Sequence, residues 1–196
     1  MLARRRLALD LTALALGASA CRPTAREVTR AASRPDAAAL TSSVLGQLSY
    51  PTDVLPDGRV QLRDGDWEAD SSSLDGASVH LATIAHGELS GDTHQDAVVI
   101  LITNAGGTGR FVDLIPVLAT AGPPHVGRAT PLGDRVLPES LWVAGGRAHL
   151  RIVTHDSTDG LCCPTRRELQ MYRLVHDSLV LERSELLGRI PPEPRE

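Results

Sequence analysis

The sequence predicts a mainly β domain, built as a single antiparallel sheet, a sandwich or an open barrel. Three observations lead there. The apolar segments are short and are separated by Gly, Pro, Asp and Asn, which is the rhythm of antiparallel strands. The run Ala97 to Ile102 is continuously apolar and rich in β-branched residues, as a central strand covered on both faces requires. No convincing amphipathic helix lies between the segments.

Taken in order, Arg59 to Arg63 and Asp66 to Glu68 flank Asp64 and Gly65, an Asp-Gly pair suited to a tight hairpin turn. Ser78 to Ala85 is the next strand, followed by the central run. Phe111 to Leu118 comes after it, with Pro116 marking an edge or a bulge because proline donates nothing to a ladder. Ser140 to Val143 and Arg147 to Thr154 form a hairpin around Gly145 and Gly146, with Ala148, Leu150 and Ile152 on one face. Arg166 to Leu174 and Leu179 to Glu182 close the set, joined near His176 and Asp177. There is no clear internal repeat.

The first twenty residues have the layout of a signal peptide. Arg4, Arg5 and Arg6 give a positive start, Leu7 to Gly17 an apolar stretch, and Ala18, Ser19 and Ala20 a small-residue end before Cys21. The stretch falls short of the about 20 residues a membrane helix needs. Cleavage before Cys21 leaves that cysteine at the N-terminus, which predicts a lipid anchor there. Asp10 interrupts the apolar run, and the other reading is an ordinary cleaved signal with Cys21 as first mature residue. Residues 21–43 are rich in Ala, Arg, Pro, Ser and Thr and are expected to form a largely disordered tether that adds nothing to a core. Residues 44–185 form the β domain, and 186–196, with Pro191, Pro192 and Pro194, a frayed tail.

Composition narrows the partners. A net charge of −4 with scattered arginines gives no basic stripe, so nucleic acid is not expected as a partner. Two Trp, two Tyr and one Phe make a thin stacking platform for bases or sugars. All basic residues other than histidine are Arg, which we read as a composition effect.

The stretch between the second strand and the central one carries Glu88, Ser90, Asp92 and Asp96, with oxygen-bearing side chains at odd spacing along a loop. That pattern suits Ca²⁺, which gathers six to eight oxygens, and predicts a weak calcium site. The other reading is that these side chains cap their own backbone in Asx-type turns. The segment resembles the aspartate-rich calcium loops of FG-GAP repeat proteins, usually GDLDGDGxxDAVV. Here Glu88 and Ser90 stand for the first two aspartates, and Thr93 takes the place of a glycine, a position where a β-branched residue is strained.

Four stretches follow in order: Gly87 to Val99, GGTGRF from Gly106 to Phe111, LGDR from Leu132 to Arg135, and CCPT from Cys162 to Thr165. In that order they resemble a group of bacterial periplasmic or lipid-anchored proteins. The resemblance spans most of the folded part, implies an envelope location and a β domain, and brings no activity or catalytic residue.

With Cys21 lipidated, the sole intramolecular partner of Cys162 in an oxidising envelope is Cys163. An adjacent pair closes no loop of useful length, so its effect is to stiffen the turn before Pro164. The alternative is a redox switch or thiol site, with His155, Asp156 and Asp159 turned toward the sulfurs. Asn104 to Gly109 leads straight into a strand and reads as a β-turn, not a phosphate loop. Asp134 and Arg135 read as a surface turn in preference to an anion site. The sequence shows neither GxSxG nor HExxH. The function expected is an envelope-anchored binding or interaction module, with Ca²⁺ as the one candidate cofactor. Its partners would be the membrane through lipid on Cys21 and an envelope protein or polysaccharide. The alternative is a periplasmic redox or hydrolytic enzyme using Cys162 and Cys163.

Overall fold

The computed structural model describes residues 39–70 and 76–190. The expected signal peptide, Cys21 and the tether up to residue 38 lie outside these residues, as does the end of the chain from 191. Among the described residues no helix is long and apolar enough to cross a membrane.

The fold is a β-sandwich with a third, thinner layer. Helix α1 (Ser42–Leu45) precedes β1 (Ser49–Pro51) and β2 (Arg59–Gln61), which pair only with each other. The large sheet holds β3 (Asp66–Glu68), β4 (Ala77–Gly87), β5 (Asp96–Ala105), β6 (Phe111–Leu118) and β7 (His125–Val126) in that order. Within it β8 (Thr130–Asp134) also pairs with β6. The third sheet is a meander of β9 (Leu137–Ala144), β10 (Arg147–Thr154), β11 (Arg166–Val175) and β12 (Ser178–Arg189). All pairings are antiparallel and no sheet closes on itself, so of the architectures left open by spacing the sandwich is the one formed.

β5 shows why. Its unbroken apolar run has no polar face to give to water, so both sides must be covered. Ala97, Val99 and Leu101 pack with Leu45, Tyr50, Val60 and Leu62 of the thin layer. Val98 and Ile100 pack with Leu114, Leu150, Ile152, Tyr172 and Leu179, joining the large sheet to the meander. Two glycines allow the layers to approach. A Cβ on Gly87 would lie 2.5 Å from Val143 in β9, and one on Gly127 would lie 2.2 Å from the Asp177 carbonyl. On that second side Arg128 N donates to Asp177 O at 2.7 Å and the Thr130 hydroxyl donates to Leu179 O at 2.8 Å.

Phe111 to Leu118 is a strand with the bounds expected, and Ala148, Leu150 and Ile152 share one buried face. Gly145 and Gly146, both at positive φ, make the two-residue turn between β9 and β10. Several expectations need correction. Residues 59–63 and 66–68 share a single bridge, Arg63 to Asp66, because β2 belongs to the thin layer while β3 edges the large sheet. The Asp64–Gly65 turn is the tight two-residue turn expected, with Arg63 and Asp66 exchanging both backbone bonds and Asp64 and Gly65 at positive φ, but it crosses between layers and no longer ladder follows it. Pro116 lies in an interior strand. Its missing N–H faces the break between β7 and β8, where only its carbonyl is used, by Gly127 N at 2.8 Å.

The domain also begins earlier and ends later than 44–185. Leu40 is 4% exposed, within the core, and its carbonyl meets His86 Nε2 at 2.7 Å. The β5 face needs that cover, and one leucine in an Ala-rich stretch supplies it. β12 continues to Arg189, opposite Arg166, because β11 requires a partner along its whole length and the prolines begin only at 191.

Candidate functional site

The Glu88 to Asp96 loop joins β4 to β5. Asp96 is fully buried and turned inward: its Oδ2 accepts from Leu89 N and Ser90 N at 3.0 Å each, and its Oδ1 from Ala119 N at 2.9 Å. Glu88 accepts from Gly91 N and from the Ser90 hydroxyl, and Asp92 Oδ1 from His94 N at 2.9 Å. That His94 N–H holds the Asp92 carboxyl below the usual carboxylate range. Thr93 adopts φ +74°, the strained conformation its position demands. The four expected calcium ligands are thus not brought onto one point. The carboxylates of Glu88, Asp92 and Asp96 accept from backbone amides and the Ser90 hydroxyl donates to Glu88, in the capped-turn arrangement. Among the described residues no three His, Cys, Asp or Glu side chains gather closely enough to hold a metal ion.

At the opposite end of the sheets, the GGTGRF and LGDR segments lock together. Asp134 Oδ1 accepts from Arg110 N at 2.7 Å, and its Oδ2 from Arg135 Nη1 at 2.7 Å. Arg135 Nη2 donates to the Thr108 carbonyl at 2.6 Å and to the Thr108 hydroxyl at 3.0 Å. Both charges are used within the turn, so Asp134 and Arg135 do structural work. Arg135→Ala is expected to lower stability by about 1–2 kcal/mol through loss of the Thr108 bonds. A urea midpoint equal to wild type would contradict it.

Cys162 and Cys163 are bonded to each other in the exposed turn between β10 and β11, beside Leu161, which is 77% exposed. The neighbours expected to face the sulfurs are engaged elsewhere. His155 Nε2 meets the Asp134 carbonyl at 3.2 Å, and Asp156 pairs with Arg189. Asp159 accepts from Asp156 N and Thr165 N at 2.8 Å each, and from the Thr165 hydroxyl. The Asp156 N–H foremost holds the Asp159 carboxyl below its ordinary range. The result is a braced turn, with its nearby acid and base groups committed to the brace.

A third place was not foreseen. Asp113 sits in β6 between Val112 and Leu114 and is 7% exposed. It lines a cleft of about 120 Å³ with Asp53, Val54, Phe111, Pro131 and Asp134. Opposite it the β6–β8 register shifts, a bulge that opens the ladder. Burial, and secondarily the charge of Asp53, push the Asp113 carboxyl up to about 6. No hydrogen bond relieves either effect among the described residues. The signal in the sequence was a single carboxylate inside the otherwise apolar strand FVDLIPVL.

The sign of the pH effect follows. The folded state holds the Asp113 proton more tightly than a free carboxyl of pKa 3.8. This group's contribution to stability is therefore full below that value and is lost as pH rises through about 6. The change amounts to about 2–3 kcal/mol. Asp113→Asn should be more stable than wild type at neutral pH and show a flatter profile between those two values. Denaturant melts across that range would refute this by showing parallel curves.

The fold and these sites define a three-layered β-sandwich domain with braced end loops and an acidic cleft beside β6. The chain matches no family model, no curated protein and no solved structure.

Proposed function

We propose that the chain is an envelope-anchored lipoprotein, held to a membrane by lipid on Cys21, whose β-sandwich is a binding or interaction module facing the periplasm or the cell exterior. The observation that carries this is the pairing of Cys162 with Cys163. Disulfides persist in oxidising compartments, and the pairing leaves Cys21 as the one remaining cysteine of the three. Cys21 directly follows a positive start, an apolar stretch and a small-residue end, where a signal peptidase would expose it. A binding role is favoured over the enzymatic alternative because the acid and base groups around the paired sulfurs are committed to bracing their turn. The partner class that fits is another envelope protein or a polysaccharide.

Expression in a bacterial host followed by detergent phase separation tests the anchor. Wild type should enter the detergent phase, and Cys21→Ser the aqueous phase. Because one acyl chain binds membranes only marginally, mass spectrometry of the mature N-terminus should find more than one acyl chain. Equal partitioning of both forms, or an unmodified N-terminus, would overturn the reading.

A further inference from the structure

We propose that the outward face of the meander binds an unbranched polysaccharide of acidic sugars, with Trp142 as the stacking surface and Arg151 and Arg173 as the anion contacts. This names the partner class of the binding module and rests on that reading. Ala148, Leu150 and Ile152 of β10 point into the core, so the residues alternating with them point away from it. The register sets those residues in rows across the strands. Trp142, His149, Met171 and Arg183 form one row. Arg147 and Arg173 stand opposite each other in the row on one side of it, and Arg151 and Leu169 in the row on the other. Trp142 is 37% exposed although it stacks on His149, with ring centroids 5.1 Å apart and planes 7° from parallel. β9 is the edge strand of its sheet, so no strand of that sheet stands on the far side of the indole. The ring is therefore backed by imidazole on one face and turns the other toward the sheet edge. A flat apolar surface held in this way suits the C–H face of a sugar ring.

The charge on this face selects an anion. Each of its carboxylates is matched by an arginine: Glu182 by Arg147 at 2.6 Å, Glu139 by Arg167 at 2.6 Å and Glu185 by Arg183 at 3.4 Å. Arg151 and Arg173, both exposed, are left without an ion pair among the described residues. The face is thus positive on a chain whose net charge is −4. Arg173 also lies directly across the ladder from Arg147, where like charges repel. Glu182 is the one carboxylate acting on both. An anion from outside would complete that set. Arg151 and Arg173 stand two rows apart, about 14 Å along the strands, so a chain laid along them meets Arg151, then the Trp142 row, then Arg173. A sheet face has its backbone groups spent in ladders, so recognition here rests on side chains, unlike strand addition at an edge. A flat lipid surface fits less well, because it would press Glu139, Glu182 and Glu185 against like-charged headgroups.

The test uses the full chain as Cys21→Ser, which carries no lipid whether or not the wild type does, so its outcome bears on this face and not on the anchor. Polygalacturonate is the probe, titrated by calorimetry at about 50 mM salt, with dextran as the neutral counterpart. Polygalacturonate should bind and dextran should not. Trp142→Ala should weaken binding about tenfold, and Arg151→Gln and Arg173→Gln about tenfold each, with urea midpoints near that of the parent. Both arginines are exposed, so their variants test the face even where Trp142→Ala is poorly folded. Arg63→Gln, which removes an exposed arginine beside the thin layer, should bind as the parent does. The proposal is overturned by no binding of polygalacturonate, by equal binding of dextran, by undiminished binding in Arg151→Gln or in folded Trp142→Ala, by an equal loss in Arg63→Gln, or by binding to phosphatidylglycerol vesicles in preference to polygalacturonate.

Discussion

Asp96→Ala is expected to destabilise the domain by about 3–5 kcal/mol, because it leaves the N–H groups of Leu89, Ser90 and Ala119 without their acceptor, those of Leu89 and Ala119 in a buried setting. The carboxylate ties the loop after β4 and the end of β6 to the first residue of β5. Asp96→Asn should be only a partial rescue, since an amide has one acceptor oxygen and its NH₂ would face an N–H donor. Urea denaturation of the three proteins checks this. A loss for Asp96→Ala below about 1 kcal/mol would show that water replaces the carboxylate.

Ile100→Ala should cost about 3–5 kcal/mol, the range for emptying a fully buried aliphatic site that cannot collapse. Ile100 stands at the middle of β5, between Thr83 and Leu114 across the two ladders, and packs toward the meander. Leu101, its neighbour, packs toward the thin layer. The two side chains share no cluster, so the costs of Ile100→Ala and Leu101→Ala should add to within about 0.5 kcal/mol in the double variant. A strongly sub-additive double variant would mean that the two cores collapse as one.

How much of this could be read beforehand depended on whether the information was local. Ala97 to Ile102 announces a doubly covered strand because the pattern is written in consecutive residues. Gly145 and Gly146 announced a turn because backbone conformation is a local property. What covered β5 was not local: Leu40, Leu45 and Tyr50 lie 50 or so residues before their partners, and Leu40 falls in a stretch whose average composition suggested a tether. The loop at 88–96 was recognised as a wrapped, oxygen-rich segment, but the direction of Asp96 depended on Ala119, an acceptor's partner 23 residues away. The GGTGRF and LGDR segments were each visible, while their mutual lock through Thr108 and Arg135 was not. Asp113 carries no local signal, because one polar residue in an apolar strand looks like an interruption until Asp53 is placed in the same cleft.

The thin layer has a mechanical consequence. The chain enters the domain at Leu40, and the first ladder met from that side is the three-residue β1–β2 pair, continued past Ser49 and Gln61 by single bonds from Leu62 N to Leu48 O and from Gly65 N to Gly46 O. Tension from the N-terminal side would pull this pair apart like a zipper, one bond at a time, whereas the long ladders of β5 share load among many bonds at once. The first piece to yield is therefore the cover over Ala97, Val99 and Leu101, well before the sandwich parts. A domain tethered from that side would shed its lid under load and present a greasy β5 face, so its working strength is set by its smallest sheet.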